Sequence, residues 1–330
     1  MQRRQLIHAT SPVFPIGLGC MNFGGFYGPS SESQAQETLS HAVDLGVEHF
    51  DTANVYGLGV SEEILGRFLS PAHRELRIAT KAGIWRDREY GNRGFNNKPG
   101  YLREQLEGSL RRLQRERVDL FYIHRRDPDV EIEDVMQTLL ELKREGKIGG
   151  IGFSEISPAS LRRAAAVGPV DAVQSEYSLW SRLPELGLLQ TCRELDVAFI
   201  AYCPLGRGIF SDHIPDPNAF TENDFRKNSP RFQEPNLSFN LARVAPFRAF
   251  AADHGVSTAA MAIAWCLAQD ESIIPIPGTR SAKHLEECVE GSRISLTKEM
   301  KAEIARLLPV GWAHGDRYSK SQWNGPEGYC

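Results

Sequence analysis

Four side chains in this sequence are of the types, and stand at the places, that could deliver a proton to a substrate oxygen: Asp51, Tyr56, Lys81 and His124. Asp51 closes the short apolar run EHFD, and Tyr56 follows five residues later in a loop leading to Gly57 and Gly59. Lys81 ends the run LRIATK and His124 ends VDLFYIH. A carbonyl that accepts a hydride becomes an alkoxide and needs a proton, which a phenol within reach can supply as a general acid. A free tyrosine is too weak for this, with a pKa of about 10. A neighbouring ammonium lowers that value, and a carboxylate holds the ammonium in place and keeps it charged. A histidine beside the reacting oxygen can orient it by hydrogen bonding. Taken singly, these residues read as a satisfied strand-end acid, a loop aromatic, a snorkelling lysine and a core histidine. Their joint placement at the ends of successive apolar runs is what an active site requires.

The elements that must position them alternate in type along the chain. Short apolar, β-rich runs lie at 13–19, 49–52, 76–81, 118–124, 148–154, 171–177, 198–203 and 273–279. They are apolar almost throughout, as expected of parallel strands covered on both faces. Between them lie amphipathic patterns, such as Leu102, Leu106, Leu110 and Leu113 after Pro99 and Gly100, and 132–146 with Ile132, Val135, Leu139 and Leu142 on one face. Eight such pairs suffice to close a parallel sheet, so the expected fold is a (β/α)8 TIM barrel, one domain over 1–330. Residues 2–8 before Ser11 and Pro12 suggest an N-terminal hairpin or plug.

Barrel chemistry sits in the loops after the strands. Three segments there break the rhythm: 83–98 with Trp85, Tyr90 and Phe95; 206–240, read as an ordered lid; and an aromatic tail from 309 with Trp312, Tyr318, Trp323 and Tyr329, expected over the barrel mouth.

Composition excludes several classes. A net charge of −4 with dispersed Lys and Arg gives no footprint for nucleic acid. No stretch is long and apolar enough to span a bilayer, and the N-terminus lacks a signal-peptide core. Six scattered cysteines suggest neither disulfides nor a zinc site, and imply a reduced, cytoplasmic protein. GLGCMN at 17–22 lacks the final small residue and the placed acid of a dinucleotide fingerprint.

FDTANVYG at 50–57 followed by SEEILG at 61–66 closely resembles the signature of the aldo-keto reductases, and the resemblance extends over about residues 12–310. EYSLWSR at 176–182, PLGRG at 204–208 and PRFQEPN at 230–236 look most like bacterial members related to pyridoxal and plant-type aldehyde reductases. The resemblance implies that Asp51, Tyr56, Lys81 and His124 are the catalytic tetrad and that the cofactor is NADPH, with NADH possible. By the same likeness Gly19, Cys20 and Met21 line the cofactor, and Ser154 and Gln174 hold the nicotinamide carboxamide. Glu155 stands where Asn commonly follows that Ser. In AYCPLGRG at 201–208, Tyr202 would stack on the nicotinamide, with Cys203 and Pro204 beside it, and Leu205, Gly206, Arg207 and Gly208 would wrap the pyrophosphate. In PIPGTRSAKHLEEC at 275–288, Gly278, Thr279, Arg280, Lys283, His284, Glu287 and Cys288 would clasp the adenosine end. There His284 replaces the usual Arg and Cys288 the usual Asn.

Three readings stand together: reduction of a small-molecule aldehyde or ketone; the reverse reaction on a sugar or polyol with NAD; and a nucleotide-binding regulatory barrel like the potassium-channel beta subunits. Substrate determinants are expected among Phe23, Tyr27, Trp85, Arg125, the lid and the tail.

Overall fold

The computed structural model describes residues 2–8, 10–69, 73, 75–86, 93–222, 224–320 and 322–329; Tyr90 and Cys330 lie outside the described residues. The strands in chain order are β1 (Leu18–Gly19), β2 (His49–Asp51), β3 (Arg77–Ala82), β4 (Ile84–Arg86), β5 (Arg93–Phe95), β6 (Val118–Ile123), β7 (Ile148–Ser154), β8 (Ala172–Glu176), β9 (Ala198–Tyr202) and β10 (Ile273–Ile276). Eight of them pair in parallel in the order β1-β2-β3-β6-β7-β8-β9-β10, while β4 and β5 form a separate antiparallel ribbon. Gly17 and Gly19 donate to the carbonyls of Pro275 and Pro277, both at 3.0 Å, which joins the first strand to the last and closes the barrel. The expected (β/α)8 TIM barrel is the observed fold.

The helices are α1 (Glu32–Asp44), α2 (Val60–Phe68), α3 (Pro99–Leu113), α4 (Ile132–Arg144), α5 (Pro158–Val167), α6 (Leu188–Glu194), α7 (Asn236–Asp253), α8 (Thr258–Leu267), α9 (Ala282–Gly291) and α10 (Lys298–Leu307). Local signals fix their ends. Ser31 and Gln34 form a reciprocal capping box on α1, and Pro99 opens α3, where its missing N–H costs no helix hydrogen bond. Leu102, Leu106, Leu110 and Leu113 are buried, as their spacing requires. Gly66 lets α2 settle onto α3: a β-carbon there would lie 2.1 Å from the Arg112 carbonyl oxygen. Two helices, α7 and α8, separate β9 from β10, and the lid ends where α7 begins at Asn236 rather than at 240.

The first strand is shorter than expected because Val13 is used elsewhere. It pairs antiparallel with Arg4, and this turn presses Leu6, Ile7 and Val13 against inward-facing Ala79, Leu120, Ile200 and Ile274. Arg4 ties the plug down by donating to the carbonyls of Leu267, Asp270 and Ile273. One end of the barrel is thereby filled, which leaves the ends of the parallel strands at the other mouth to carry chemistry. No helix among the described residues is long and apolar enough to cross a membrane.

Candidate active site

The floor of the site is built by two strand ends in register. Asp51 is the last residue of β2 and Lys81 the penultimate residue of β3; both are buried, Lys81 completely. A buried ammonium needs a counter-charge and acceptors. Lys81 ion-pairs with one oxygen of Asp51, donates to the Thr52 carbonyl at 2.9 Å, and lies 3.4 Å from the Tyr56 hydroxyl. Gln174, on β8, donates to the other Asp51 oxygen at 2.8 Å. The His124 ring stands edge-on to the Tyr56 ring, with centroids 5.8 Å apart. The structure thus brings the four expected residues together.

The loop that aims Tyr56 is braced from behind. Ser61, at the start of α2, donates to the Cys20 carbonyl and meets the Thr52 hydroxyl, both at 2.8 Å. Gly57 and Gly59, with φ of 61° and 103°, supply the left-handed turns between Tyr56 and α2. Glu62, fully buried, accepts from the Thr80 hydroxyl and from Arg112, tying α2 to β3 and α3. The helical pattern alone gave no reason to single out Glu62.

The electrostatics correct one expectation. Burial would lower the Lys81 pKa, but Asp51 and Tyr56 together outweigh it and the ammonium is held above its ordinary value. For Tyr56, burial is the larger influence and raises the pKa; Lys81 opposes that rise without reversing it. The phenol is therefore a protonated donor held in place, rather than one acidified toward neutrality.

From this floor a cavity of about 730 Å³ runs to the N-terminus of α9. Beside the tetrad it is lined by Gly19, Met21, Ser154, Gln174, Tyr202 and Cys203; midway by Pro204, Leu205, Arg207 and Gly208; and at the far end by Gly278, Thr279, Arg280, His284, Glu287 and Cys288. At that end Ser281 caps α9 by accepting from the His284 amide, and the helix N-terminus favours an anion. The His284 and His213 rings lie 5.6 Å apart. The donor set fits a nicotinamide dinucleotide: polar amide and hydroxyl groups beside the phenol, small residues midway, and a cationic helix start at the far end.

Other expectations change. Cys20 is buried in the core, bonded to the Leu18 carbonyl, and lies behind the cavity lining. Gly206 serves the turn, packed by Ile209 and Trp180, and Lys283 is exposed outside the lining. Arg207 lines the cavity, and its guanidinium bonds Glu176 at 2.8 Å and the Arg317 carbonyl at 2.6 Å, clamping lid to tail. Glu155 is likewise committed. It accepts from both terminal nitrogens of Arg317, from the Tyr202 hydroxyl at 2.8 Å and from the Glu176 amide at 2.9 Å, and its carboxyl is held down at about 2. Burial works against that depression, but Arg317, with Arg125 and the Glu176 amide, outweighs it. These bonds commit the carboxylate mainly to Arg317 and to the strand and tail around it.

Of the expected substrate determinants, Tyr27 and Arg125 line the cavity, whereas Phe23 is a core residue and Trp85 covers Gly94 across the β4–β5 ribbon. The lid contributes Ser211, His213, Ile214, Pro215, Phe225 and Arg226; the tail contributes Tyr318 and Gln322. The tail does lie over the mouth. Trp312 stacks on Trp180, and Glu327 accepts from the Ser157 amide at 2.8 Å. Glu176 and Arg317 escaped the sequence reading because their partners are remote in sequence. The described residues contain no cluster of three or more His, Cys, Asp or Glu able to hold a metal.

Known proteins agree with this architecture. The sequence model of the aldo/keto reductase family matches residues 15–309. An NADP(+)-designated aldo-keto reductase of Schizosaccharomyces pombe is 40% identical over 320 residues, covering 96% of this chain and 94% of that protein. A probable aldo-keto reductase of Glycine max is 38% identical, covering 93% and 88%. Among solved structures, the glycerol dehydrogenase of Gluconobacter oxydans superposes with a TM-score of 0.84 at 30% identity, covering 93% and 94%.

Proposed function

This chain belongs to the aldo/keto reductase family and is an NADP-dependent oxidoreductase, and from that premise we propose that it reduces an aldehyde or ketone with Tyr56 as proton donor. The observation that carries this reading is the fully buried Lys81 wedged between the Asp51 carboxylate and the Tyr56 hydroxyl. No folding role calls for an ammonium at such a place, since a buried ion pair is weak support for stability.

When bound, the nicotinamide nucleotide supplies the hydride. The chain's own residues do the rest. Gln174 and Ser154 line the cavity beside the tetrad, where they would hold the carboxamide, and Arg280 with His284 would receive a 2'-phosphate, which favours NADPH. The substrate carbonyl oxygen would lie between the Tyr56 hydroxyl and the His124 ring. Developing negative charge on that oxygen is stabilised by these two donors and by Lys81 behind the phenol. Tyr56 then gives up its proton, and the phenolate left behind is stabilised by the ammonium 3.4 Å away. Asp51 keeps Lys81 charged through this step.

Oxidation of a polyol is the second reading, favoured by the structural likeness to the glycerol dehydrogenase. The same residues run in reverse would serve it. We read the chain as one barrel unit over 1–330. Its described cysteines are all free, which supports a reducing, cytoplasmic setting. Nucleotide turnover with aldehydes, ketones and sugars, in both directions and with both cofactors, tests the proposal. Reduction with NADPH at the higher kcat/KM is expected; turnover with sugars and NAD alone would replace it with the second reading.

A further inference from the structure

We propose that the preferred substrate carries an anionic group, a carboxylate or a phosphate, near its carbonyl, and that Arg125 binds it. This rests on the carbonyl-reductase reading above and names the substrate class.

Three arginines, Arg125, Arg207 and Arg317, are buried at the barrel mouth, and two of them are paired with a buried carboxylate. Arg207 has Glu176 at 2.8 Å, and Arg317 has Glu155, gripped through both terminal nitrogens. Arg125 is 9% exposed and ion-pairs with no carboxylate among the described residues. Its acceptors are the His124 carbonyl at 2.6 Å and the Ser154 hydroxyl at 2.9 Å, both reached through the same terminal nitrogen. The rest of its planar fork has no acceptor among the described residues. Burial disfavours its charge; Tyr202, Tyr318 and Glu155 attract it at longer range and Arg317 repels it, while Glu155 makes its own hydrogen bonds with Arg317, Tyr202 and the Glu176 amide.

A buried guanidinium with no carboxylate at ion-pair distance among the described residues is costly to hold, and its geometry matches a carboxylate or phosphate bidentately. Its position says which molecule brings the anion. Arg125 follows His124 directly and lines the same cavity as Tyr56, whose phenol feels its charge. The far end of that cavity already offers Arg280, His284 and the α9 N-terminus to the nucleotide's phosphates. An anion at Arg125 therefore belongs to the substrate. Gly325 of the tail lies close to the Arg125 stem: a β-carbon there would sit 3.4 Å from it and 2.8 Å from Phe95.

The test compares three- to five-carbon aldehydo acids with their methyl esters, which keep the shape and remove the charge. With NADPH the wild-type enzyme should use the acid with a kcat/KM about tenfold to a hundredfold above the ester, the range expected of charge-assisted hydrogen bonds. Arg125→Gln should abolish that ratio and Arg125→Lys restore part of it. In parallel, calorimetric titration of the NADPH complex with malonate should show binding that Arg125→Gln loses. Equal use of acid and ester by the wild-type enzyme would overturn the proposal. So would equal losses for both in Arg125→Gln, which would make Arg125 a positioning residue for Ser154. A large loss of NADPH affinity in that variant would assign the guanidinium to the nucleotide and also refute it. If no carbonyl is turned over while malonate still binds through Arg125, the reductase reading fails and the anion site stands.

Discussion

The floor and the roof of this active site are built by opposite means. On the floor, Asp51, Tyr56, Lys81 and Thr52 lie within a stretch of about thirty residues, and parallel pairing of β2 with β3 sets their spacing. On the roof, Glu155 meets Arg317 across 162 residues, and Arg207 meets the Arg317 carbonyl across 110. The floor's charges are closed in by main chain and neighbouring strands. The roof's charges hold together a lid and a tail that share no sheet. The comparison teaches that one buried ion pair can serve proton transfer and another can serve closure, with burial alone unable to tell them apart.

The largest effect should come from cutting the floor. Lys81→Met removes the ammonium behind the phenol and leaves the buried Asp51 with Gln174 as its remaining side-chain partner among the described residues, so turnover should fall by about 10²- to 10⁴-fold. Combining it with Tyr56→Phe should add little, because residues acting as a unit are not additive. Additive losses in steady-state rates would separate the two residues and break the floor into independent parts.

Cutting the roof should act on stability first. Arg317→Met leaves Glu155 buried without its cation, at a cost of about 3 to 5 kcal/mol, read by denaturant unfolding. Turnover by the folded fraction should change less than in the Lys81 variant. If instead stability holds and turnover collapses, the tail belongs with the chemistry.

A smaller effect is expected at the far end of the cavity. Arg280→Gln should weaken NADPH by about ten- to a hundredfold, and NADH much less, since a guanidinium fork suits a phosphate. Part of the loss will be shared, because Arg280 also donates to the Pro29 carbonyl across the cleft. Fluorescence titration with both nucleotides reads the difference, and equal losses would remove Arg280 from phosphate recognition.

The smallest effect concerns pH. The Glu155 carboxyl is depressed from 4.5 to about 2 in the folded state, so its ionised form stabilises the fold at every pH above the unfolded value. That contribution is lost as pH falls from about 4.5 through about 2. Thermal unfolding of Glu155→Gln should show a shallower decline of Tm over this window than the wild-type protein. Parallel declines would place the acid sensitivity elsewhere.

These contrasts also explain what could be read from the sequence. The barrel was legible because each parallel strand is an apolar run and each helix carries a periodic face, as in Leu102 to Leu113. The tetrad was legible because strand ends fix where side chains emerge. The direction of the Tyr56 shift was not, since it depends on how completely the phenol is enclosed. The ion pairs of Glu155 and Arg207 are not legible, because nothing local reveals that their partners sit on β8 and in the tail. Both residues hold a left-handed backbone, with φ of 55° and 57°, a strained conformation that clusters at functional sites and has no reliable sequence mark.

Tyr56→Phe tests the central claim most directly. It keeps the ring against His124 and Phe26 and removes only the hydroxyl beside Lys81. With turnover and NADPH affinity measured side by side, the rate with the best carbonyl substrate should fall by about 10²- to 10⁴-fold while the nucleotide Kd stays within about twofold. Near-normal turnover in this variant would contradict the assignment and move the proton to another acid, with His124 the first to examine.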